Sequence, residues 1–241
     1  MKKTLFAFMV MAASVMLVAC NKSQKNDGKA VEGNKAKSEV LASKSEKASA
    51  SSDDPSGIAS IRKAWTGKTI EIGAGDTPRI EHFGLAFCQE YPQCETNRVL
   101  GEYLMSPKDF KNDLYDVQDV EKNGYISCQM RTEITPHTDI CYWNRQNSHK
   151  LFAAFMHWAT EGGEEENLVV FYDYDPATDA MTPETELTNM VERRVKGYDS
   201  YEVELPNEGK DLLIHCYSYN EKEDNAEVDD INLKWNGMTF D

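Results

Sequence analysis

Positive charge is scarce in this chain. Its 26 lysines and arginines stand against 41 aspartates and glutamates, for a net charge of −15. That balance repels phosphate backbones, so no nucleic-acid partner is expected. Motifs that carry chemistry are missing too. There is no Gly-x-Ser-x-Gly elbow, no His-Glu-x-x-His, no phosphate-binding glycine loop and no Cys-x-x-Cys of zinc type. Nothing in the sequence calls for a cofactor. Long apolar runs are absent except for one, Leu5 to Leu17, which is shorter than the roughly 20 residues that a membrane-spanning helix needs.

That run follows Met1-Lys2-Lys3 and ends in Leu17-Val18-Ala19-Cys20. A short positive segment, an apolar core and a small residue before the break read as a secretory signal. The four residues resemble the lipobox of bacterial lipoproteins. The resemblance implies cleavage before Cys20, a diacylglyceryl thioether on its sulfur and an acyl group on the new amino terminus. It covers residues 1–20 alone. Each buried methylene contributes about 0.8 kcal/mol, so two or more acyl chains hold a protein on a bilayer without a span. Asn21 stands where an inner-membrane retention signal often places Asp. By that analogy the expected location is the cell envelope, at the outer membrane, on either its periplasmic or its surface side.

Residues 21–57 contain no aromatic side chain and are rich in Lys, Ser, Ala and Asn. They cannot bury enough apolar surface to offset their ordering entropy, and they read as a disordered tether. A flexible chain of this length has an end-to-end distance of roughly 35 Å. A charged helix around residues 35–50 is the alternative, although it has no apolar stripe to pack.

Residues 58–241 are enough for one domain. Without the two leader lysines and the tether's single excess cation, the domain carries −18. Ile58, Ile61 and Trp65 share a helical face, as do Ile80, Phe83 and Phe87, with Gly84 a weak point. Residues 97–105 and 106–115 read as further short helices, the second opened by Ser106-Pro107. After Tyr115 the pattern turns to strands. Asn123-Gly124 marks a hairpin. Residues 139–144 and 149–159 flank a second one, and 167–174 form another strand. Thr182-Pro183 is read as the start of a helix that stops at Gly197. Residues 200–205, 211–219 and 230–235 are the last strands, before a turn at Asn236-Gly237. The expected class is α+β: short N-terminal helices followed by a mostly antiparallel sheet built from hairpins. Both faces of residues 149–158 are apolar, which suits a central strand.

Candidate sites are few. Asp173, Asp175 and Asp179 are hard oxygen ligands at a spacing that admits calcium. The same stretch, Asp175-Pro176-Ala177-Thr178, is also good type I turn chemistry, which is the simpler reading. His149 and His157 share a strand face but stand roughly 27 Å apart, too far to share a metal. His215 with a carboxylate partner is the histidine best suited to chemistry. Tyr172, Tyr174, Tyr217 and Tyr219 form either a binding face or a packed aromatic layer. Export permits disulfides. Cys128 and Cys141 are expected to pair across the loop 132–138, with Ile126 opposite Trp143, a bridge worth about 3 kcal/mol. Cys88 and Cys94 are expected to form a second bridge. Cys216, on the Leu212 and Ile214 side of its strand, reads as a buried small hydrophobe.

Two functions fit. One is a lipid-anchored envelope lipoprotein whose acidic domain binds a cationic partner. The alternative is an envelope hydrolase acting on cell-wall or imported material through paired carboxylates.

Overall fold

The computed structural model describes residues 54–75, 77–160, 163–220 and 225–241. The leader, Cys20 and the tether up to residue 53 lie outside the described residues. Residues 54–57, assigned by sequence to the tether, are ordered against α1. The Asp54 carboxylate accepts hydrogen bonds from the Ser60 backbone N–H (2.7 Å) and from the Ser60 and Ser56 hydroxyls, and Ser56 Oγ accepts the Ile58 N–H at 2.9 Å. These bonds satisfy amides that helix geometry leaves free at the start of α1 (Ile58–Ala64).

Among the described residues, ten strands and four α-helices follow one another in an α+β arrangement. After α1 come β1 (Ile70–Glu71), α2 (Ile80–Glu90), α3 (Glu95–Met105), β2 (Tyr115–Val120), β3 (Tyr125–Met130), β4 (His137–Asn144), β5 (Lys150–Ala159), β6 (Glu165–Asp175) and β7 (Ala180–Pro183). The chain closes with α4 (Thr185–Arg194), β8 (Ser200–Glu204), β9 (Leu212–Asn220) and β10 (Asn225–Leu233). Seven strands form one antiparallel sheet in the order β1-β7-β6-β5-β4-β3-β2, and the last three form a second sheet in the order β10-β9-β8.

The large sheet separates two cores. On one face α1 to α3 press Ile58, Ile61, Phe83, Phe87 and Leu100 onto Ile126, Ile140, Phe152, Met156 and Tyr172. On the other, α4 and the small sheet press Leu187, Val191, Val203, Leu212 and Ile214 onto Leu151, Phe155, Val169 and Phe171. β5 lies at the centre of the large sheet and its residues 151–156 are buried on both faces, as its apolar run implies. Gly84 earns its place in α2 by proximity: a Cβ there would lie 2.4 Å from Ile140 Cδ1. Gly124 turns the first hairpin at φ 67°, with the Tyr142 ring lying against it.

Several expectations need correction. Residues 106–114 hold a single turn, not a helix, and Tyr115 opens β2. Asp109 and Phe110 donate their N–H groups to Ser106 O, and Phe110 packs on Tyr103. Thr182 and Pro183 end β7, and the helix begins only at Thr185.

The disulfide pairings are not formed: Cys88, Cys94, Cys128, Cys141 and Cys216 are all buried free thiols. The register of β3 and β4 explains the first. Cys128 lies opposite Thr138, Cys141 opposite Tyr125, and Ile126 opposite Ile140. The two cysteines therefore point into different cores, Cys128 toward the helices and Cys141 toward the small sheet. Cys94, by contrast, is committed to a buried polar chain. Its Sγ is 3.2 Å from Thr96 Oγ1, which lies 2.6 Å from Thr138 Oγ1.

Candidate acidic interface

The calcium reading fails on geometry. Asp173 and Asp175 alternate on one face of β6, where Asp173 pairs with Arg145 and His149. Asp175 accepts the Ala177 N–H at 2.8 Å, as turn chemistry implies. Asp179 accepts the Tyr174 hydroxyl at 3.0 Å, on the helix side of the sheet. Among the described residues no three His, Cys, Asp or Glu side chains converge to hold a metal ion.

Four histidines have local partners. His82 accepts the Arg79 N–H at 3.1 Å at the head of α2. His137 Nδ1 lies 3.1 Å from Thr135 O, and His157 Nδ1 is 2.7 Å from Asn167 Oδ1. His149 is 2.7 Å from Asp173 Oδ2.

His215 differs. It stands on the outer face of the small sheet, in a row with Glu202 on β8 and Asp230 on β10. Its Nδ1 is 2.7 Å from Asp230 Oδ1 and its Nε2 is 3.4 Å from Glu204 Oε2. Burial disfavours the charged ring, but the bonds to Asp230 and Glu204 outweigh it and hold the pKa above the ordinary value.

The tyrosines divide between two roles. Tyr172 and Tyr174 are buried in the helix-side aromatic layer, with Phe83 5.0 Å from Tyr174 and the Tyr91 and Tyr172 hydroxyls 2.8 Å apart. Tyr217 and Tyr219 lie on the outer face beside His215, and Tyr219 is 59% exposed.

The same face runs into a groove that sequence alone could not reveal, because it forms where residues from both sheets meet. An open cavity of about 680 Å³ is lined by Ala159, Gly163, Glu164, Glu165, Asp199, Ser200 and Tyr219. It adjoins a cavity of about 280 Å³ that shares Glu165, Asp199 and Ser200 and adds Arg62, Glu166 and Tyr201. Asp199 accepts the Tyr219 N–H at 2.7 Å, and Glu165 Oε1 lies 3.3 Å from Asn167 Nδ2 and 3.5 Å from His157 Nδ1. Arg62, the one cation among the described residues that line either cavity, is engaged by Glu192 at 2.6 Å and by Asn167 O. Glu164 has no side-chain partner among the described residues. Carboxylates thus gather near the exposed Tyr219 ring and the half-buried Tyr217, an arrangement that attracts cations through charge and through ring faces.

No family model matches the chain, no curated protein matches it in sequence, and no solved structure matches its fold. Among the described residues, no helix is long and apolar enough to cross a membrane.

Proposed function

We propose that this chain is a lipid-anchored lipoprotein of the bacterial cell envelope whose domain binds a cationic partner at the groove and outer face just described. One observation carries the binding reading. Glu164, Glu165 and Asp199 line the groove with Tyr219, the Tyr217 hydroxyl lies 3.5 Å from Glu202, and Glu204 and Asp230 flank His215 on the adjoining face. Among the described residues, no lysine or arginine lines the larger cavity. The anchor rests on the lipobox resemblance at Cys20, and Asn21, standing where an inner-membrane retention signal often places Asp, supports the outer membrane as the site of attachment.

Binding of this kind weakens with salt, because the Debye length falls from about 10 Å at 0.1 M to about 3 Å at 1 M. The test is titration with a small folded basic protein at both ionic strengths, for the wild type and for the Glu164→Lys/Glu165→Lys variant. Wild type should bind and lose at least tenfold in affinity at high salt, and the variant should bind poorly at either. Salt-independent binding unaffected by the variant would overturn the electrostatic reading. Turnover of a peptidoglycan, glycoside or ester substrate, abolished by Glu165→Gln or Asp199→Asn, would promote the hydrolase instead. For the anchor, Cys20→Ser should accumulate unprocessed precursor without acyl labelling; a variant still cleaved and labelled would refute it.

A further inference from the structure

The small sheet has two outer strands, and they are finished differently. At β8 the backbone is covered: Tyr201 O, facing away from β9, accepts Asn167 Nδ2 at 2.7 Å. At β10 the described residues put no further strand beyond it. Side chains 226–230 are all exposed, Val228 to 53%. Asp199 N donates to Tyr217 O at 2.9 Å, so odd-numbered groups of β9 face β8 and even-numbered ones face β10. Their partners Glu227, Asp229, Ile231 and Leu233 therefore direct N–H and C=O to β9. The N–H and C=O groups of Ala226, Val228, Asp230 and Asn232 point outward, an open row of donors and acceptors.

From this edge we infer a strand-addition site for an extended basic segment of the partner. This inference rests on the cationic-partner reading and gives it a geometry. Glu227 and Asp229 lie on one face of β10 and Val228 between them on the other, so the complementary strand reads basic, apolar, basic. A second copy of the chain is the wrong occupant, because antiparallel pairing of two such edges about Val228 sets Glu227 of each copy against Asp229 of the other. Main-chain bonds supply the attachment and the carboxylates select the sequence, as in other recognition by an added strand.

The test uses a synthetic alternating Lys-Val peptide, a small folded basic protein, and the full chain as wild type and as Val228→Pro. Proline removes an outward N–H and leaves the ladder to β9 untouched. The peptide should bind wild type, slow amide exchange at Ala226, Val228, Asp230 and Asn232, and bind Val228→Pro at least tenfold more weakly. The folded basic protein should bind both forms alike. Peptide binding without added protection at those four amides overturns strand addition, whatever Val228→Pro does, and leaves the acidic reading in place. So does a wild type that binds the basic protein but not the peptide. Failure to bind either probe overturns both.

Discussion

Removing one guanidinium should cost this domain a large part of its stability. Arg145 follows β4 with its side chain 8% exposed. Nη1 pairs with Asp173, and Glu184 Oε1 lies at 2.7 Å. Its Nε is buried with no partner among the described residues. Arg145→Met would leave two carboxylates, 19% and 29% exposed, with only His149 nearby to offset them. Breaking a buried pair from one side costs about 3–5 kcal/mol. The partial exposure of both acids draws the figure toward the lower end, about 3 kcal/mol. For a domain of this size that is a fall in melting temperature of roughly 6–12 °C. Denaturant unfolding followed by circular dichroism measures it at an unchanged m-value. The triple variant Arg145→Met/Asp173→Asn/Glu184→Gln should recover most of the loss, since no charge is left stranded. A single variant within about 0.5 kcal/mol of wild type, or a triple variant worse than the single, would refute the reasoning.

His215 carries a pKa raised above its ordinary value. A raised imidazole pKa stabilises the fold fully below about pH 6.5 and loses that contribution as pH rises through the folded value. His215→Asn should therefore be destabilised relative to wild type more at pH 5.5 than at pH 8. Exposed partners keep the effect below about 1 kcal/mol. Matched unfolding curves at the two pH values check the sign. The five domain thiols should resist a thiol reagent at pH 8 in the folded protein and react on unfolding. Burial pushes Cys88 and Cys141 far up and Cys128 to about 12, and raises Cys94 and Cys216. Mass spectrometry after labelling counts them, and fewer than five reactive thiols in the unfolded, unreduced domain would restore a disulfide.

Local signals in the sequence were the ones that survived contact with the structure. Asn123-Gly124 needs only its own backbone to turn, and Asp175-Pro176 only its own side chain and amides. The apolar run of β5 places it at the sheet centre because neither of its faces tolerates water. Register was harder. A loop centred between β3 and β4 would have faced Cys128 toward Cys141. Instead Met130 N closes on Pro136 O at 2.8 Å, and Thr135 takes φ 40°. The pairing slips by three residues, an odd number, which sends the two sulfurs to opposite faces. Ser106-Pro107 and Thr182-Pro183 both carry a helix-start signal, but after Ser106 only Phe110 and an exposed Leu114 stand at helical spacing, and the residues at Thr182 are already paired to β6. The groove was illegible for a different reason: Glu165 and Asp199 meet only because the last hairpins leave the large sheet and build a second one.

The central strand has a consequence for how the domain comes apart. Alternate residues of β4, β5 and β6 feed the helix-side core and the small-sheet core, with Phe152 in one and Phe155 in the other. Neither layer can peel away without exposing a wall that the other still uses. The two cores therefore melt as a single cooperative unit, and the slowest-exchanging amides belong to the strands they share.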